Sequence, residues 1–259
     1  MSFNRQFKER LAAGDALLGH WVSVANSTVL EVMARLPCDF LLLDGEHAPI
    51  RPDDLVSLLP ASDLHGKPVI FRPRSRSDAH IKAALDAGVA GIMVPMVETA
   101  AQARAIVEAA HYAPLGRRGI GPLRASSYYD SFDDYLLSAS GRTTVIVQIE
   151  SAAGLANVRE IAAVDGVNVL YVGPADLAQS LGVPIGIMEG SLLQACETVA
   201  DAARMAGRVA AIDIVSPEHA TMLFERGFRL FTHGSDIGFL QEGGRRTCSE
   251  MAALIGKAG

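Results

Sequence analysis

Asp44, Glu46 and His47 stand within four positions of one another at the end of an apolar run, FLLLDGEHAP (40–49). A strand that only fills a core has no use for such an ending. Arg72 closes a second run, KPVIFRP (67–73), and Gln148 and Glu150 close a third, TTVIVQIE (143–150). Asp176 follows a fourth, NVLYVGP (168–174), in VGPAD. Side chains on a strand alternate with period two, so Gln148 and Glu150 share a face with Ile146. A neighbouring strand lies ~4.8 Å away, close enough for Asp176 to bring a second carboxylate to Glu150. Two like charges buried at that range need compensation. Mg²⁺ or Mn²⁺, held by two carboxylates with other positions left to water and ligand, would supply it. The competing reading has Asp176 capping LAQSLG and Glu150 capping SAAGLANV; beside Gln148, Arg72 and His47 it is the weaker one.

Arg72 sits between Phe71 and Pro73, an apolar setting for a permanent cation. It could pair with Asp44 or Glu46, or stabilise a carboxylate or an enolate through a charge-assisted hydrogen bond. His47 precedes a turn marked by Pro49. Asp86, in AALDAG, is a surface acid unless it turns back to orient a histidine.

Positioning these groups requires strand ends that converge. Strands are predicted at 17–24, 39–46, 67–73, 91–96, 143–150, 168–174, 208–214 and 228–235, separated by segments of helical period such as SDAHIKAALDAG. Apolar strands without clean alternation suit a parallel sheet covered on both faces. Eight β-then-α units over residues 1–259, with no break in composition, predict one (β/α)₈ barrel domain, its chemistry at the strand C-termini. A doubly wound open sheet is the rival, although WVSVANST has no phosphate-loop glycine. The stretch 112–142 is expected to be a long functional loop without a full helix. Its GRRGIG lacks the spacing and the Lys-Ser/Thr ending of a phosphate loop, but Arg117 and Arg118 are candidates to hold an anion.

A formal charge of -6 argues against nucleic acid or an acidic membrane as partner. No apolar run approaches ~20 residues, and the first fifteen residues read as an amphipathic helix rather than a signal. Cys38, Cys196 and Cys248 are widely spaced, the usage of a reducing compartment. A soluble, cytoplasmic protein is the expectation. Lys8, Lys67, Lys82 and Lys257 are its lysines, and none ends a strand, which disfavours Schiff-base chemistry.

In matching order from about Gly19 to Gly238, LLLDGEHAP, the RP at Arg72, IKAALDAGVAGIMVPMVET, RRGIG, VQIE and YVGPADLAQSLG resemble the HpcH/HpaI aldolase family of class II, pyruvate-dependent aldolases. The resemblance implies a (β/α)₈ barrel whose last helix is exchanged with a neighbour, usually in a homohexamer. It implies cleavage of a 4-hydroxy-2-oxo acid, as in the 2-keto-3-deoxy sugar acid aldolases, to pyruvate or a close 2-oxo acid and an aldehyde. Glu150 and Asp176 would hold Mg²⁺, Mn²⁺ or Co²⁺. Gln148 and the backbone around Ala175 would bind the oxo acid, Arg72 would stabilise the enolate, and His47, oriented by Asp86, would handle the hydroxyl proton. The alternatives are a relative that decarboxylates oxaloacetate and a noncatalytic metabolite-binding barrel. The chain departs from the family pattern at RSRSDAH, where Arg74 and Arg76 add charge, at the segment GVPIGIMEGS, at Asp213 in AAIDI and at His233 in THGSD. These departures bear on the identity of the aldehyde.

Overall fold

The computed structural model describes residues 2–186, 188–214 and 216–255. Eight strands form one closed barrel in sequence order: β1 (Leu17–Val22), β2 (Phe40–Asp44), β3 (Val69–Arg72), β4 (Gly91–Val94), β5 (Thr144–Ile149), β6 (Val169–Val172), β7 (Val209–Asp213) and β8 (Phe228–Ser235). Every neighbouring pair is parallel, and β8 closes on β1. Closure excludes the open sheet. The observed strands are those expected, most of them trimmed by one or two residues where the chain bends into loops.

Period two sorts each strand into two layers. Leu41, Leu43, Val69, Phe71, Val145, Val147 and Ile149 point outward and join the helices in the larger apolar cluster. Phe40, Leu42, Ile70, Ile146, Val169, Tyr171 and Ala211 point inward and fill the barrel. Each fully buried Leu or Ile contributes roughly 1.5–3 kcal/mol, and slipping a strand by one residue would exchange its two faces. The inward register carries on past the apolar layers to Asp44, Arg72, Gln148 and Asp213 at the C-terminal mouth. Asp44 pairs with Arg72 and Asp213 with Thr232 across adjacent strands.

The opposite end is floored by the helix Ser2–Ala13, which buries Asn4, Phe7 and Leu11. The Phe7 ring lies 5.3 Å from that of Phe40. Lys8 Nζ donates to the carbonyls of Ser140 and Thr143 at 2.7 and 2.6 Å, and Asn4 Nδ2 donates to Gly88 O at 3.2 Å.

The stretch 112–142 differs from expectation, because its second half is the helix Phe132–Arg142. Asp133 and Asp134 in its first turn and Arg142 in its last suit the helix dipole, while Ser138, Ser140 and Gly141 mask the pattern in the sequence. Arg117 bonds Asp78 and Glu108, and Arg118 bonds Asp86, so both guanidiniums already hold carboxylates of this chain rather than an external anion. Among the described residues no helix is long and apolar enough to cross a membrane.

Candidate active site

The mouth is organised around a guanidinium. Arg72 Nε and Nη2 donate to the two oxygens of Asp44 at 2.9 and 2.8 Å, a fork-to-fork pair. Arg72 Nη1 lies 3.2 Å from Glu46 Oε2. The Arg72 guanidinium also stacks 4.4 Å above the Trp21 ring. Burial opposes ionisation of Asp44, but the Arg72 fork and the backbone amides of Glu46 and His47 outweigh it and hold the carboxyl below its ordinary range. Asp44 thereby fixes the arginine and folds the loop that presents His47. Arg72 is 8% exposed, so it is immobilised on three sides with a narrow opening to the cavity.

Glu150, just past β5, is under the opposite stress. Its Oε1 accepts the Met96 amide at 2.6 Å and its Oε2 accepts Gln148 Nε2 at 2.9 Å. Met96 holds a left-handed φ of 53° to aim that amide. Among the described residues no cation bonds Glu150. Burial pushes it up to about 7; Glu46 and Asp176 add to the shift, and the Met96 amide opposes it. A Cβ on Gly173 would lie 2.5 Å from Glu150 Oε2, so only glycine leaves the carboxylate its place. Gln148 Oε1 is buried without a partner among the described residues. Asp176 stands in the first turn of the helix Pro174–Leu181 and makes no capping bond, and Ser151 rather than Glu150 caps the helix Ala152–Ala156. Neither capping role is filled. Among the described residues no three His, Cys, Asp or Glu side chains form a complete metal-binding group. Two carboxylates of uncompensated charge beside an orphaned amide oxygen nevertheless fit a hard divalent cation that completes its shell with water and substrate.

These groups border a cavity of about 190 Å³ lined by Trp21, Arg72, Gln148, Ala175, Asp176 and Asp213, among others. A family model described as HpcH/HpaI aldolase/citrate lyase matches residues 17–241. The chain belongs to that family. It is an enzyme of the carbon–carbon lyase class, an aldolase. The 2-keto-3-deoxy-L-rhamnonate aldolase of Salmonella paratyphi B is 36% identical over 231 residues, which cover 89% of this chain and 86% of that one. A solved HpcH/HpaI aldolase/citrate lyase family protein from Burkholderia cenocepacia J2315 superposes with a TM-score of 0.88 at 34% identity, covering 95% of this chain and 99% of that one. The HpcH/HpaI aldolase of Desulfitobacterium hafniense DCB-2 gives a TM-score of 0.86 at 27% identity, with 95% and 96% covered.

In this aldolase the fold brings Arg72, Gln148, Ala175 and Asp176 to one cavity, with Glu150 bonded to Gln148 beside it. Ala175 is the second residue of the helix Pro174–Leu181, whose first amides have no intrahelical carbonyl, a natural seat for a carboxylate. His47 stands over the mouth with its side chain 67% exposed, and Glu46, at 3.8 Å, is the carboxylate within ion-pair reach. The pairing expected of Asp86 with His47 is not formed within the chain. The ten-residue helix Asp78–Ala87 carries Asp86 away from the mouth, to a point five residues before β4 begins, and Arg118 takes its carboxylate there at 2.5 Å. Arg76 donates to Met96 O, steadying the segment that holds Glu150. Arg74 lines a different cavity, with Arg51 and His80. His233 bonds the Ile214 carbonyl and does not line the active-site cavity, whereas Asp213 does. Sequence reasoning missed Trp21, Met96, Tyr171, Thr232 and His219. The inward parity of Trp21, Tyr171 and Thr232 could have flagged those three; nothing local marks Met96 or His219.

Proposed function

We propose that the protein is a class II aldolase that reversibly cleaves a 4-hydroxy-2-oxo acid into pyruvate, or a close 2-oxo acid, and an aldehyde. The 2-keto-3-deoxy sugar acids named for its curated relatives are the substrate class of choice. The observation that carries this reading is Glu150: a buried carboxylate without a cation, pushed up to about 7, beside the free carboxylate of Asp176 and the fixed guanidinium of Arg72. Glu150 and Asp176 would hold Mg²⁺, Mn²⁺ or Co²⁺, which when bound would offset their charge and act as a Lewis acid.

The chain's own residues account for the rest. Gln148 and the amides at Ala175 orient the oxo acid. Cleavage of C3–C4 leaves an electron pair on C3, tolerable only as an enolate, and Arg72 already points at the cavity where that oxyanion develops. His47, solvent-accessible beside Glu46, accepts the C4 hydroxyl proton and returns it in the reverse direction, and the enolate takes a proton on C3 from water to leave as pyruvate. Within one chain Asp86 lies too far from the mouth to orient His47, so the dyad would have to form between two copies.

Support for such copies comes from the last helix, Asp236–Leu254. Asp236 anchors it by accepting the amides of Ser23 and Val24. Beyond that anchor little of it is buried, with Leu240 78% and Leu254 80% exposed. An apolar groove of about 680 Å³, lined by Val24, Val29, Val32, Met33 and Leu36, opens beside its first turns. Exchange of this helix in a homo-oligomer, a hexamer as in the family, would cover both surfaces.

The test is pyruvate release from 2-keto-3-deoxy-L-rhamnonate and other 4-hydroxy-2-oxo acids, with and without EDTA. Turnover abolished by EDTA and restored by Mg²⁺ or Mn²⁺ is expected. Turnover of oxaloacetate alone would replace the aldolase by a decarboxylase, and no turnover of any oxo acid would leave a binding protein.

A further inference from the structure

The cavity has a second end that the oxo acid chemistry does not use. Asp213, the last residue of β7, shares the inward face with Ala211 and lines the cavity from the strand next to β6, two strands on from β5 and Glu150. Its Oδ1 is committed, accepting Trp21 Nε1 at 2.9 Å and Thr232 Oγ1 at 2.5 Å. Thr232 is in turn bonded to the Tyr171 hydroxyl at 2.6 Å, so the carboxylate is held in a fixed network. Its Oδ2 receives no hydrogen bond from the described residues. His219, on the helix Pro217–Glu225 that follows, lines the same cavity and has a buried Nδ1 without a partner among the described residues. Around these two open valences the wall is apolar: Ile185, Met188 and Leu192.

We propose that Asp213 and His219 form the acceptor end of the site and select an uncharged aldehyde that carries a hydroxyl group. The proposal rests on the aldolase reading and adds a specificity device to it. A hydroxyl offers a donor for Asp213 Oδ2 and can bond His219 Nδ1 as well, while the carbon chain lies on Met188 and Leu192. A bare alkyl aldehyde leaves both groups desolvated and unpaired, the circumstance in which polar pockets discriminate best. An anionic aldehyde would face the Asp213 carboxylate with no cation of its own, because Arg72 is already shared between Asp44 and Glu46. Trp21 links the two ends of the site, its indole N–H on Asp213 and its ring face under Arg72.

The experiment compares aldol addition of pyruvate to a matched set: glycolaldehyde, acetaldehyde and the anionic glyoxylate. The wild type is expected to favour glycolaldehyde over acetaldehyde in kcat/KM by at least ~10-fold, the discrimination of one good hydrogen bond to a charged group. Asp213→Leu brings that ratio to about one. Asp213→Asn keeps an acceptor for Trp21 and removes the charge, so it admits glyoxylate; thermal melts establish that each variant is folded. A wild-type ratio near one, or ratios unchanged in both variants, overturns the proposal. Trp21 is the sole tryptophan, so its fluorescence reads binding without turnover. A response to glycolaldehyde but not acetaldehyde, lost in Asp213→Leu, supports the acceptor site even if the retro-aldol reading fails. An equal response to both aldehydes overturns it.

Discussion

The two ends of the barrel use the same residue types to opposite purpose. At the floor, Arg118 is bonded to Asp86, Arg124 to Asp63 and the Ala87 carbonyl, Lys8 to two carbonyls and Asn4 to a third. At the mouth, among the described residues, Glu150 has no bonded cation, Asp176 has no bond, and Gln148 Oε1 and His219 Nδ1 are orphaned. The floor has orphans too among the described residues, Asn4 Oδ1 and Arg142 Nε, but the cavity their residues line is about 10 Å³, against about 190 Å³ at the mouth. Burial alone therefore does not mark a functional charge. An open valence facing a space that a ligand can enter does.

That contrast can be broken most decisively at Glu150. Glu150→Gln is expected to lower turnover by roughly 10³-fold or more, about 4 kcal/mol in the barrier, while the melting temperature holds or rises, because an uncompensated buried carboxylate is removed. A fall in stability with activity intact would make Glu150 a floor-type residue. Arg124→Met should do the reverse, destabilising the fold by roughly 3–5 kcal/mol in urea titrations by stranding Asp63, with kcat unchanged once the protein is folded below its midpoint.

Arg72→Lys keeps the charge but loses the fork on Asp44 and the flat stack on Trp21. Steady-state kinetics should show kcat down by about 10²-fold, and a change confined to KM would limit Arg72 to substrate binding.

His111, 4% exposed near the floor, is pushed down to about 4 by burial, with Lys8 and Arg118 adding to the effect. Its folded pKa is lower than its unfolded one of ~6.5, so the unfolded chain binds more protons between those values and stability falls as pH drops through that window. From pH 7 to pH 5 this one group should remove about 2 kcal/mol. His111→Gln should flatten the profile by that amount, and an unchanged slope would show that the imidazole is not sealed. The smallest effect is expected at Asn4→Ala, about 1 kcal/mol by urea denaturation from the lost bond to Gly88.

Most of the fold was legible because its signal is local. Runs such as FLLLDGE and TTVIVQIE announce strands; the period of two placed Gln148 and Glu150 on one face, and the end of its run placed Arg72 at the mouth. The helix Phe132–Arg142 escaped because serines and a glycine interrupt its apolar face. Asp86 was placed beside His47 by family resemblance, and one chain forbids this, since a helix of ten residues carries it ~15 Å along the barrel. Arg117 and Arg118 looked available for an anion until folding brought Asp78, Glu108 and Asp86 to them.

By itself the sequence determined the repeating β-then-α order, the face that Gln148 and Glu150 share, and the gathering of DGEH, Arg72, QIE and Asp176 at strand ends. Those features follow from backbone periodicity, which each segment carries alone. Only the tertiary structure decided which valences stay open: that Asp44 absorbs the Arg72 fork, that Trp21 bridges Arg72 to Asp213, and that Glu150 is left with a backbone amide and a glutamine. Hydrogen-bond partners across a closed barrel come from strands tens of residues apart, and no local pattern encodes which of them meet.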